Sequence, residues 1–220
     1  MLQKRSIALQ DRECLLHFDI HEMPASRMED WLYNMADATG QDAGFPTSTT
    51  DAMENPGPLE ALLRGWGVTL LAGLEYDKAK PLLDQMLECC WRTDLEPPVR
   101  MCAANVDEHI EDMHTLQALR RAALKLNLGF FRRGRRGERR EVDYPRWHAY
   151  QAAMDQYKGL AIPENISPGM ALLLRRGTAT LRDLETEYSC GDMLDMIEAL
   201  EIEHYNNWCV TEDRKHERSK

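Results

Sequence analysis

The clearest alternation of apolar and polar residues lies near the start of the chain, between residues 14 and 21. A period of two is what a β-strand with one buried face requires. The polar stretch QDRE before it predicts a turn leading back to SIAL, so we expect a β-hairpin here and no strand elsewhere. The residues on the predicted buried face are Cys14, Leu16, Phe18 and Ile20.

Apolar residues spaced three and four apart predict helices over most of the remaining chain. The first helix follows MPAS, and another covers YDKAKPLLDQMLECCW, residues 76–91. Residues 107–128 form the longest helical pattern, and they carry two apolar stripes, which is typical of a helix in the middle of a bundle. The apolar side of the first helix carries Met28, Trp31, Leu32 and Met35.

Capping residues mark the predicted helices of the last third. Ser167 and Gly177 bound a short helix, because serine favours the first position and glycine the position after the end. Thr180 begins the next helix. Ser189, with Asp192 three residues later, has the spacing of a capping box and begins the last helix.

The stretch GLAIPENISPG is rich in helix-breaking residues and predicts a linker. We therefore expect an N-terminal domain over residues 1–158, a linker over 159–166 and a C-terminal unit over 167–220. The predicted fold class is mainly α: a helical bundle with a small N-terminal β-hairpin, plus a small helical C-terminal unit. A unit that small buries only about 60% of its unfolded surface, so its apolar side needs something to pack against.

The last predicted helix carries an apolar side that spans about half of its circumference. Periodicity alone allows this side to lie in the protein's own core, to line a metal site or to contact another protein. Methionine favours the last of these, because its flexible side chain adapts to varied apolar partners. The residues on this side are Met193, Leu194, Met196, Ile197, Leu200, Tyr205 and Trp208.

Composition narrows the choice of function. The 220 residues carry a formal net charge of −10, which argues against a general nucleic-acid or anionic-membrane binder. The opening residues lack the apolar run of a signal peptide, and stretches such as VTLLAGL fall far short of the ~20 residues that span a bilayer. The six cysteines show no C-x-x-C spacing, so we expect reduced thiols in a cytoplasmic protein.

Two Glu-x-x-His steps, Glu111 with His114 and Glu201 with His204, raise the alternative of a ferritin-like metal-binding protein. No matching glutamates stand out on other apolar faces, and acidic residues are so common over 181–204 that the spacing arises easily by chance. The chain contains no phosphate-binding loop, nucleophile elbow or dinucleotide fingerprint. We therefore expect no enzyme activity, metal or cofactor.

An arginine-rich run, RRGRRGERR, occupies residues 132–140 and interrupts an otherwise acidic chain. Guanidinium groups suit phosphate, so a small RNA-binding regulator is a second alternative. A solvated connector, or a segment that contacts the acidic C-terminal helices, fits the same composition. Nucleic-acid binding is the less favoured interpretation because the whole chain is acidic.

Three stretches resemble bacteriophage tail assembly chaperones, in particular the long, frameshift-extended form of lambda-like siphophages. LLHFDIHEMPASRMEDWLYNM, residues 15–35, is similar to their opening strand, Glu-Met-Pro junction and helix with an early tryptophan, here Trp31. DEHIEDMHTLQALRRAALKLNLGFF, residues 107–131, resembles their later helix. TLRDLETEYSCGDMLDMIEALEIEHYNNW, residues 180–208, resembles the downstream extension of the long form.

This resemblance implies a binding protein of the host cytoplasm that is absent from the mature virion. Its N-terminal part would keep the phage tape measure protein soluble, with possible homo-oligomers along it, and its C-terminal unit would recruit the major tail tube protein. A ribosomal frameshift near Lys158 and Gly159 would join the two parts. On this hypothesis the tape measure contacts are Trp31, Leu32, Met35, Leu116 and Leu119, and the tube contacts are Met193, Leu194, Met196, Ile197, Leu200 and Tyr205.

Overall fold

A computed structural model describes residues 2–40, 74–129, 144–146, 148–150, 152 and 166–218. This part of the chain is mainly helical with a small N-terminal antiparallel sheet, which confirms the predicted fold class. The strands are β1 (Lys4–Asp11), β2 (Cys14–His21), β3 (Cys90–Arg92) and β4 (Val99–Arg100). The helices are α1 (Ala25–Thr39), α2 (Tyr76–Leu87), α3 (Val106–His109), α4 (Met113–Asn127), α5 (Pro168–Arg176), α6 (Leu181–Thr186) and α7 (Cys190–Arg218).

The predicted hairpin is present. β1 and β2 pair antiparallel from Lys4 opposite His21 to Asp11 opposite Cys14, and Arg12 makes the turn with a φ of 51°. The inward residues Leu16, Phe18 and Ile20 are buried, as the alternation predicts. Cys14 is exposed because it lies at the tip of the hairpin, beyond the helices that cover the rest of the face.

The sheet has four strands in the order β1-β2-β3-β4, so the expectation of no strand outside the hairpin is wrong. The predicted helix over 76–91 ends at Leu87, and Cys90 pairs with Ile20 while Trp91 pairs with Asp19. A short apolar run fits a strand as well as a helix turn. The backbone groups along the free edge of β2 need partners, and this requirement favours the strand.

The helix predicted over 107–128 is also interrupted, between α3 and α4. The Asp11 carboxylate at the end of β1 accepts hydrogen bonds from the backbone N–H groups of Glu111 and Asp112, at 2.9 and 2.8 Å. The Asp112 side chain then caps α4 by accepting from the His114 N–H at 3.0 Å. These contacts satisfy the donors that a helix start leaves open, so the break is stable.

One apolar core lies between the sheet and the helices. Trp31 of α1 is buried at its centre, and its indole N–H donates to the Leu82 carbonyl at 3.0 Å. Asn127 of α4 is also buried, and its Oδ1 accepts from the Met23 N–H at 2.6 Å. The buried polar groups thus tie α1 and α4 to neighbouring segments.

The C-terminal helices contribute to the same core. Met170, Leu184 and Met193 belong to the apolar cluster that includes the inner residues of α1. The chain after β2 also bonds directly to the start of α7, because the Ala25 N–H donates to the Tyr188 carbonyl at 2.7 Å. The linker predicted over 159–166 lies almost wholly outside the described residues, and a separately folded C-terminal unit stays a prediction.

We expect Asp11→Ala to lower the free energy of unfolding by about 1–3 kcal/mol, because it leaves two part-buried N–H donors at the break before α4 without their acceptor. Urea denaturation followed by circular dichroism measures this loss. Glu13→Ala is the matched control, because Glu13 is exposed on the same turn. Equal stability of the two variants would show that the Asp11 contacts contribute little.

Candidate protein-binding surface on the C-terminal helix

Helix α7 is 29 residues long, so it extends for roughly 40 Å at 1.5 Å per residue. Its start has the predicted capping geometry: the Asp192 N–H donates to Ser189 Oγ at 3.2 Å, and the Ser189 N–H donates to Asp192 Oδ2 at 3.0 Å. The caps predicted at Ser167 and Thr180 are also present. These contacts fix the residue at which α7 begins.

The apolar side of the first turns of α7 packs against α1 and α5. Met193 and Ile197 are only 2% and 3% exposed, and Met196 and Leu200 are partly buried against the same core. Leu194 is partly buried. The contact with α5 is close, because a Cβ added at Gly169 would stand 2.8 Å from Ile197 Cδ1. In this fold the predicted tube-binding stripe is largely an intramolecular contact, and its binding role stays a prediction.

An aromatic cluster covers the middle of α7. The ring of Tyr205 lies 5.2 Å from that of Tyr144 and 5.7 Å from that of Tyr150, and Tyr150 also meets Trp208 edge-on at 5.8 Å. Offset and edge-to-face pairs at these separations are favourable. Burial, and then the nearby carboxylate of Glu201, raise the pKa of Tyr150, which keeps its hydroxyl neutral.

Polar contacts hold the same segment in place. The Arg146 N–H donates to the Tyr205 hydroxyl at 3.2 Å, and the Arg146 guanidinium pairs with Asp213 at 2.6 Å. Tyr205, predicted to contact the tube protein, is therefore 6% exposed and enclosed by residues of its own chain. The aromatic residues around Tyr150 have helical spacing in the sequence. This spacing does not show that Tyr150 packs against Tyr205 of α7.

The polar side of α7 is acidic. Between Cys190 and Trp208 the sequence has five acidic residues and neither lysine nor arginine. Asp195 and Glu203 are exposed on this stretch. We call the side that carries Asp195 and Glu203 the acidic side of α7; it suits a basic partner surface.

The residues predicted to contact the tape measure protein lie in the core. Each is at most 8% exposed, and Leu119 and Met35 are completely buried. The helical spacing of apolar residues predicts their common side but not whether a partner or the protein itself covers it. Their binding role also stays a prediction. The full set is Trp31, Leu32, Met35, Leu116 and Leu119.

The Glu-x-x-His pairs do not come together. Glu111 forms an exposed ion pair with Arg12 at 2.6 Å. His204 is half-buried on α7, where burial and then the charges of Arg176 and Arg175 lower its pKa. Within the described ranges, no three histidine, cysteine, aspartate or glutamate side chains lie close enough to hold a metal ion.

Comparison of the chain with protein-family models, with curated protein sequences and with solved structures found no match.

In the described part of the chain, no helix is both long and apolar enough to cross a membrane. The arginine run over 132–140 and the predicted frameshift position at Lys158 and Gly159 lie outside the described residues. The acidic side of α7 is one candidate contact surface that the described residues leave exposed.

Ile197→Ala should lower the free energy of unfolding by about 2–5 kcal/mol, because it opens a cavity where α7 meets α5. The matched control is Val210→Ala, which truncates a β-branched residue that is 49% exposed on the same helix and should cost less than about 0.5 kcal/mol. Chemical denaturation of both variants measures the difference. Similar values would mean that Ile197 is not held in the core.

Proposed function

We propose that this protein is a phage tail assembly chaperone that keeps the tape measure protein soluble and recruits tail tube subunits during tail assembly. One observation carries the proposal: residues 15–35 resemble the opening of that family in composition and in order. In the fold the same stretch runs as strand β2, a Glu22-Met23-Pro24 junction and helix α1 with its early Trp31. The protein would act in the host cytoplasm before the tail is complete.

The acidic side of α7 supports a role in recruiting a partner. An assembly chaperone has to release its partner when the tube polymerises, so its affinity must be moderate. Exposed charge pairs are individually weak and act mainly on the rate of encounter and on orientation. We propose that Asp195 and Glu203 form the first contact with a basic surface of the tube subunit.

The partners are tested by affinity purification of the tagged full-length protein from host cells that produce the phage, followed by mass spectrometry. We expect the tape measure protein and the tube subunit of the same phage to be recovered together. Tag-only cells grown and lysed in parallel provide the background. Recovery of neither phage protein above that background would refute the chaperone role.

The contact surface is tested by the double substitution Asp195→Lys and Glu203→Lys. We expect about tenfold weaker binding of the tube subunit, roughly 1.4 kcal/mol, with no change in tape measure recovery. Glu185→Lys with Glu187→Lys is the matched control, because it makes the same charge change at exposed positions on and next to α6. Titration calorimetry at low and moderate salt gives the affinities. If both double variants bind the tube subunit with equal affinity, the contact does not lie on the acidic side of α7.

A further inference from the structure

A buried acid lies where α1 meets the C-terminal helices. Glu29 of α1 is 4% exposed, and its Oε1 accepts a hydrogen bond from the Ser167 hydroxyl at 2.7 Å. The same hydroxyl oxygen accepts from the Met170 N–H at 3.1 Å and so caps α5. One serine therefore both starts α5 and joins it to α1.

The surroundings of Glu29 disfavour its ionised form. A buried carboxylate is costly unless a cation or several donors compensate it. Among the described residues, the one interaction that lowers its pKa is the Ser167 hydrogen bond, while the neighbouring charge of Asp30 raises it. Burial is the largest effect, and together these raise the pKa of Glu29 from its ordinary value of 4.5 to about 7.

The described charged groups on α1 and near α2 do not offset the cost of burying the ionised Glu29 carboxylate. Arg27 pairs instead with Glu88, just beyond the end of α2, at 2.9 Å. Tyr33, one helical turn after Glu29, offers no positive charge: burial, and then the Glu29 charge, raise the pKa of its hydroxyl. Ionised Glu29 thus has a hydroxyl, rather than a cation, as its described hydrogen-bond partner.

The charged groups of the C-terminal helices are engaged elsewhere. Asp183 caps α6 through the Thr180 N–H at 2.8 Å, and Asp192 completes the cap of α7. Arg175 and Arg176 lie at the opposite end of α5 from Ser167 and act on His204. The side of α7 that packs against α1 and α5 is apolar near its start.

We propose that the packing of α5–α7 against α1 is a proton-sensitive joint: protonated Glu29 holds the helices together, and ionised Glu29 favours their separation. Protonated, the carboxyl is neutral and can be buried at little cost. Ionised, it gains full hydration when the joint opens. Opening separates α1 from the apolar side at the start of α7, which carries Met193 and Ile197. This inference goes beyond the proposed function, because the joint would open in the same way whichever partner then binds the apolar side of α7.

The sign of the pH effect follows from the direction of the shift. The closed form binds the Glu29 proton more tightly than the open form, so closure is most stable at acid pH. It weakens as the pH rises from 4.5 to about 7 and is constant above that. Between pH 5.5 and 8.5 these two values give a closure equilibrium that falls roughly 30-fold.

Hydrogen–deuterium exchange of the full-length protein, corrected for the intrinsic pH dependence of exchange, measures this opening peptide by peptide. We expect protection of α5 and the first turns of α7 to fall roughly 30-fold between pH 5.5 and 8.5. Glu29→Gln mimics the protonated acid, so the fall in protection that Glu29 causes should be absent from this variant. Glu185→Gln, an exposed acid on α6, should follow the unmodified protein.

A carboxyl titration by NMR gives a second readout that does not depend on a variant folding. A Glu29 resonance that titrates near pH 7 together with pH-dependent protection supports the joint. Unchanged protection across this pH range, or a Glu29 that titrates near 4.5, would overturn it. Retention of the full pH dependence in folded Glu29→Gln would overturn it as well.

Discussion

The backbone of the short junction after β2 holds the described fold together. The Glu22 N–H donates to the Gln3 carbonyl at 2.8 Å and so closes the hairpin. The next N–H, of Met23, donates to Asn127 of α4, while Pro24 forms a bridge with Ser189 at the start of α7. Consecutive residues thus bind different parts of the chain. Buried backbone groups require partners, so this stretch sets the relative positions of hairpin, bundle and C-terminal helices.

Features set by nearby residues could be predicted from the sequence. The hairpin follows from local alternation, and the starts of α5, α6 and α7 follow from Ser167, Thr180 and Ser189 acting within three residues of themselves. The break before α4 could not be predicted, because Asp11, about one hundred residues earlier, supplies its acceptors. The strand at β3 likewise depends on the free edge of β2, not on its own residues.

The candidate site also combines features that nearby residues set with features that distant residues set. Periodicity identifies the shared apolar side of Met193 and Ile197, but a helix presents the same pattern to its own core and to a partner. Glu29 is a polar residue whose burial could not be predicted from the sequence. It occupies an ordinary polar position between Met28 and Trp31, and its burial arises from helices that begin more than one hundred residues later. No local signal distinguishes it from an exposed glutamate.

The aromatic cluster around Tyr205 gives α7 a second attachment, separate from its contact with α1 and α5. When the first contact opens, the cluster still holds α7 against Tyr144 and Tyr150. Reclosure is an intramolecular step because α1 and α7 belong to one chain, so its rate does not depend on protein concentration, and effective concentrations in such steps are of the order of millimolar. A partner for the uncovered stripe would compete against that concentration, so its capture would be reversible without any input of energy.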